Sequence, residues 1–262
     1  MKFSFMSFSC PDADIKDFIN IAKQYGFDGI EPRIGSGHRH GIEPGADNIF
    51  LQNVREMSAE NRIKICCIAT SCQFSDPETV DENIIQAKQA IEFAAKIGAL
   101  AIRVFGGGIP KDMEREKSFD SVVEALINLS DFAAAHKITI CLETHDDWTD
   151  PEWVAKIMRN VSHDFVAVNW DIMHPVLSAG YNMRDSFQIL KEWVRHVHVH
   201  DGLYTNKGII FTPIGEGKVD HSAALKLLQE YKYDGFISGE WIAWEPYDIH
   251  LPREIAKLKS LI

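Results

Sequence analysis

The chain has 262 residues, 45% of them hydrophobic and 25% charged, a balance that buries a large core and excludes disorder as the main state. A formal charge of -11 argues against nucleic acid and against anionic membrane surfaces, because both are bound through clustered Lys and Arg. The five cysteines (Cys10, Cys66, Cys67, Cys72 and Cys141) lack CxxC spacing and read as reduced, buried thiols. No apolar run approaches the roughly 18 residues that a membrane span needs, so a cytoplasmic protein is expected.

The opening MKFSFMSF alternates Phe or Met with Ser and is too short for the apolar core of a secretory leader, so 2–8 reads as a first strand. The expected order continues with a helix over 14–25, a strand over 29–33, a helix over 48–61 and a strand over 64–70. The helix over 76–97 is the most sharply defined, since Val80, Ile84, Ala87, Ile91 and Ala94 recur at spacings of three and four and Gly98 supplies a stop. Strands over 99–105, 139–145, 165–171, 194–200 and 235–241 then alternate with helices over 116–136, 151–160, 184–191, 220–231 and 252–261. An echo links QYGFDGIE to EYKYDGFISGE, each joining a helix end to a strand through aromatic-Asp-Gly. Eight strands each followed by a helix predict an α/β fold, a (β/α)8 TIM barrel forming a single domain over 1–262. The longest connections, 35–47 and 201–219, follow strands two and seven and belong at the catalytic face of such a barrel.

Near the ends of the last four strands stand Glu143 in ICLETH, Asp171 in VNWDIMHP, His198 in RHVHVHD and Glu240 in ISGEW. Strand side chains alternate faces, so an inward Glu143 sends Ile140 and Leu142 outward, and the same parity sends Val168, Trp170, Val197, Val199, Ile237 and Trp241 outward. Each residue alone could be part of an ion pair, but four in phase on successive strands point to one divalent metal ion. Three carboxylates so close would otherwise repel. The oxygen-rich donor set favours Mn2+, with Mg2+, Co2+ or Zn2+ as alternatives.

At these residues the chain resembles the xylose isomerase-like TIM barrel superfamily, in particular its sugar phosphate isomerase/epimerase group. The resemblance spans nearly the whole chain and rests on ICLETH, the DxxH of WDIMH, the HxHxxD of HVHVHD, the GEG loop of TPIGEGKVDH and GFISGEW. It implies that Glu143, Asp171, His198 and Glu240 are the metal ligands and that His174 contacts substrate. It also implies that Glu143 and Glu240 exchange a proton with carbon beside a carbonyl through an enediolate, which a cation on the neighbouring oxygens stabilises. One departure is Tyr204, which stands where ketose epimerases of the group carry an Arg six residues beyond the ligand His.

Several other residues invite a role in binding a carbohydrate or polyol. Arg103 is inward by parity and either fixes a substrate group or pairs with a barrel carboxylate such as Glu31; Glu31 is a substrate contact or that partner. His145 and Trp148, after Glu143, and Trp244, after Glu240, could line a sugar pocket, whereas Trp241 reads as core. His196 reads as a hydrogen-bonded core histidine and His200 as a residue that orients a ligand. His38 and His40 read as a solvated loop, and Gly106 to Gly108 as a flexible turn. The leading expectation is a metal-dependent isomerase or epimerase. Its rival is a metal-dependent dehydratase of a keto-polyol such as an inosose. An apurinic-site endonuclease is a third reading, against which the acidic balance and the lack of ligands for a three-metal cluster both count. Pairing into a homo-oligomer is compatible with the fold and not legible in the sequence.

Overall fold

The computed structural model describes residues 1–205 and 208–262, apart from the side chain of Tyr204. Nine parallel strands form one sheet: β1 (Lys2–Met6), β2 (Gly29–Glu31), β3 (Lys64–Ile65), β4 (Ile68–Gln73), β5 (Ala101–Phe105), β6 (Thr139–Glu143), β7 (Val166–Asp171), β8 (Val194–Val199) and β11 (Phe236–Gly239). Their order is β3-β2-β1-β11-β8-β7-β6-β5-β4. The two ends of that order are halves of one barrel strand, and an isolated bridge links Arg33, two residues past β2, to Ala69 in β4. The sheet is therefore a nearly closed TIM barrel, as the alternation of elements predicts.

The expected third strand over 64–70 is broken. Ile65 still follows β2, but Ile68 begins pairing with β5, and the alternation lapses at Cys66 and Cys67 between them. This explains how two adjacent residues join the same small cluster, with Ala101, Cys141, Ala167 and Phe236, that floors the barrel interior. A second core, far larger, fills the layer between strands and helices; it takes in Ile140, Leu142, Val168, Trp170, Val197, Val199, Ile237 and Trp241, the residues that parity sends outward.

The helices are α1 (Ile15–Tyr25), α2 (Asn48–Asn61), α3 (Val80–Ile97), α4 (Arg115–His136), α5 (Pro151–Val161), α6 (His174–Leu177), α7 (Met183–Leu190), α8 (His221–Glu230) and α9 (Tyr247–Lys259). Local chemistry sets many of their ends. Asp14, Asp47, Asp150, Asn182 and Asp220 accept a backbone N–H at the N-termini, and Gly98 ends α3 in the left-handed region at φ 75°. α3 begins at Val80, four residues later than expected. α9 begins at Tyr247, with Pro252 inside it rather than at its start.

Three elements, α6 and the two strands of a hairpin, depart from the expected order. The single turn α6 follows Asp171 directly. The connection over 201–219 carries an antiparallel hairpin, β9 (Asp201–Thr205) and β10 (Gly208–Thr212), in place of a plain loop. Among the described residues no helix is long and apolar enough to cross a membrane. All five cysteines are free and buried.

Candidate metal centre

Barrel register brings the four predicted ligands together. Glu143 pairs with Asn169, two residues before Asp171; Asp171 pairs with His198; and His198 pairs with Ser238, two residues before Glu240. The stagger of tilted strands lifts these offset positions to one height. One ligand atom from each of Glu143, Asp171, His198 and Glu240 lies within 4.8 Å of the others, and all four residues are buried.

His198 is the hub. Its Nδ1 is 2.9 Å from Glu143 Oε1 and 3.2 Å from Glu240 Oε2, while its Nε2 is 3.1 Å from Glu31 Oε1. Burial disfavours the imidazolium, but Glu31, Glu143 and Glu240 around it outweigh that and raise its pKa well above the usual value. Burial likewise opposes ionisation of Glu240, yet His198 and Arg103 draw its carboxyl down to about 2. Asp171 is lowered against the pull of burial by His200 and His174. Its Oδ1 accepts the backbone N–H groups of Met173 at 2.8 Å and His174 at 3.1 Å, which is the service α6 performs.

The remaining candidates fall into distinct places. Arg103 is buried against Glu143, Nε to Oε2 at 3.1 Å, and its Nη1 donates to Thr70 O at 2.8 Å. Its partner is thus Glu143 and not Glu31. Glu31 is fully buried, with its oxygens facing His196 and His198, so among the described contacts it partners those two imidazoles and not Arg103. His145 and His174 meet edge to face at the mouth, ring centres 4.4 Å apart, and His174 also packs on His200 at 5.6 Å. Burial depresses the His145 imidazolium, but the Asp146 carboxylate at 2.9 Å and Glu143 together raise its pKa to about 9. His174 is lowered, chiefly by burial.

Trp244 is half-buried and packs on Phe211, which lies 6.3 Å from its ring and 5.5 Å from His200. Phe211 sits on the unanticipated β10, so sequence reasoning missed it. Trp148 is corrected from pocket wall to core: it is fully buried, and a Cβ on Gly106 would fall 2.2 Å from its ring. That close approach, rather than flexibility, requires the first glycine of the GGG run. His40 is also corrected, being buried with its ring bonded to Arg33 O and Ile42 N. His200 lies beside a candidate ligand, with Nε2 2.8 Å from Asp171 Oδ2. The departure at Tyr204 concerns a side chain outside the described residues.

Asp201, the last residue of HVHVHD, organises the loop that follows β8. Its carboxylate accepts four backbone N–H groups, from Gly202, Gly215, Gly217 and Val219, and so ties the GEG loop to the foot of the hairpin. A Cβ on Gly217 would fall 2.1 Å from its Oδ1, which is why glycine stands there.

The donor set fits a divalent cation on an observation independent of its composition. Asp171 Oδ2 and Glu143 Oε2 are buried and, although close to His200 and Arg103, neither accepts an aligned hydrogen bond. Asn169 on β7 and Ser238 on β11, the two strands that flank β8, also have side-chain polar atoms without partners. Buried polar atoms are normally satisfied, so this concentration marks a place built for something the protein chain does not itself provide.

A barrel with polar side chains converging at the C-terminal ends of its strands defines a class of site, and the comparisons name the family. The chain belongs to the xylose isomerase-like TIM barrel family, whose model matches residues 19–259. It is 24% identical to a 3-dehydroshikimate dehydratase of Bacillus anthracis over 95% of this chain and 94% of that protein. Among solved structures, a D-psicose 3-epimerase crystallised in the presence of D-fructose superposes with TM-score 0.82 at 15% identity, covering 100% of this chain and 99% of that one. The IOLI protein with a bound zinc atom superposes with TM-score 0.79 at 21% identity, covering 100% and 96%.

Proposed function

We propose that this protein is a divalent-metal-dependent enzyme that moves a proton beside the carbonyl group of a small polyhydroxylated substrate, as an isomerase or epimerase. One observation carries the reading. Glu143 on β6 and Glu240 directly after β11 stand on either side of β7 and β8, and each directs an oxygen to His198 Nδ1. A carbon seated over His198 is flanked by a carboxylate on each side, so one can take a proton and the other return it on a neighbouring atom or face.

Glu143, Asp171, His198 and Glu240 would hold the cation. When bound, it supplies positive charge that fixes neighbouring substrate oxygens and stabilises the negative charge they develop. Mn2+ is favoured by three carboxylates against one imidazole, and the zinc atom in a structural relative makes Zn2+ the main alternative. Asp171 and His198 act as plain ligands, Glu143 and Glu240 also as proton carriers. His145 and His174 line the mouth beside Glu143, where they can hold substrate hydroxyls.

A second reading, dehydration of a keto-polyol, is supported by an asymmetry. Arg103 lies against Glu143 Oε2, whereas among the described residues no guanidinium forms an ion pair with Glu240, so the two carboxylates are not equivalent. A single base working with a separate acid suits elimination of water, and the similarity to a dehydratase points the same way. Incubation in D2O with Mn2+ and either ketohexoses, inososes or 3-dehydroshikimate separates the two. Deuterium on carbon without loss of water supports isomerisation, an enone or enol product supports dehydration, and neither with any of these compounds refutes both.

A further inference from the structure

We propose that Glu31 is a positioning residue that holds His198 with its Nδ1 lone pair aimed at the metal, an inference that rests on the quartet being the metal centre. Glu31 ends β2, on the far side of β1 and β11 from β8, and its side chain crosses the barrel interior to reach His198. It is fully buried. Oε1 lies 3.1 Å and Oε2 3.3 Å from His198 Nε2, and Oε2 lies 2.8 Å from Nε2 of His196.

A carboxylate can only accept, so both imidazoles present N–H at Nε2 to it. For a neutral His198 that choice leaves Nδ1 as the lone pair, and Nδ1 is the atom that faces Glu143 and Glu240. His196, two residues earlier and inward by the same parity, holds the carboxylate from below and fixes its rotamer. The HVH of β8 thus has divided labour: one histidine meets the ion, and the other steadies the group that orients it. The negative charge on Glu31 also makes the His198 ring a stronger donor to a cation, as carboxylates behind metal-bound histidines do.

The test is Zn2+ titration of metal-free protein by calorimetry, with 15N NMR of the histidine rings in the Zn2+-loaded state. Wild type should bind one ion and show a protected, downfield Nε2–H on His198. Glu31→Gln keeps the shape and removes the charge; it should weaken Zn2+ binding about 10- to 100-fold and move that proton upfield. Unchanged affinity and an unchanged signal in a folded Glu31→Gln protein would overturn the assignment while leaving the metal centre intact. If wild type binds no ion, both fall together. A second Zn2+ that disappears with Glu31→Gln would make Glu31 a ligand beside Cys66 and His196, and would also overturn it. Should Glu31→Gln not fold, Glu31→Asp keeps the charge but draws it back from both rings; wild-type affinity in that variant would overturn the proposal, and a loss of tenfold or more would support it.

Discussion

Replacing Asp201 with Asn should free the loop that frames the mouth while leaving the barrel folded. The carboxylate accepts Gly202 N at 2.9 Å and Val219 N at 3.2 Å on one oxygen, and Gly215 N at 2.9 Å and Gly217 N at 3.1 Å on the other. An amide offers one oxygen, so one pair of N–H groups would face an NH2 instead. Two charge-assisted bonds lost at about 1.5–3 kcal/mol each give about 3–6 kcal/mol. Gly215 is exposed, so its N–H can turn to water if the loop opens, and the cost is then met by local opening rather than global unfolding. Amide hydrogen exchange reads this directly: protection at Gly215 and Gly217 should fall by about two orders of magnitude or more, with the strands unaffected. Equal protection in Asp201→Asn and wild type would refute the reasoning, because it would mean the four bonds do not hold the loop.

Other outcomes follow from the same contacts. In EDTA the stabilising contributions of His145, His198 and Glu240 should all be fully present only between about pH 4.5 and 6.5. His145, raised to about 9, and His198 stabilise the fold below about 6.5 and lose that contribution as pH rises, whereas Glu240, lowered to about 2, stabilises it above about 4.5 and loses that as pH falls. Adding Mn2+ should flatten the alkaline decline, since the cation takes the place of the His198 proton; identical melting curves with and without Mn2+ across pH 6.5–9 would contradict this. The thiols should not react with DTNB until the protein unfolds, as all five are buried and burial pushes Cys10 and Cys141 up to about 12; a fast-reacting thiol in native protein would be the opposite result. Gly239→Ala should lower stability by about 1–3 kcal/mol, because the new Cβ would fall 2.1 Å from the buried Trp241 ring, and an unchanged melting temperature would dispute that packing.

The barrel and its quartet were legible because both are written in local patterns. Period-two alternation gives the parity of Glu143, Asp171, His198 and Glu240, and apolar neighbours such as Leu142, Trp170 and Val197 fix which face is which. What alternation cannot show is contact across the barrel. Parity turns Arg103 inward, yet whether it meets Glu31 depends on strand order around a closed sheet, and Glu31 on β2 reaches β8 instead. The split at Cys66 and Cys67 left no trace either, since two buried thiols suit a continuous strand as well as a broken one. The hairpin had a signal: Leu203 and Thr205 alternate on one run, Ile209 and Phe211 on the next, with Asn206, Lys207 and Gly208 between them. Its length within a long connection made it look like a loop. Asp201 was hidden because its partners are backbone amides up to 18 residues away.

The central claim is that four side chains on β6, β7, β8 and the end of β11 hold one divalent ion. Equilibrium dialysis against Mn2+ followed by metal analysis tests it most directly. Wild type should retain one ion per chain, and Asp171→Ala and His198→Ala, shown by circular dichroism to be folded, should retain almost none. Wild-type protein that binds no ion, or variants that keep a full one, would contradict the account.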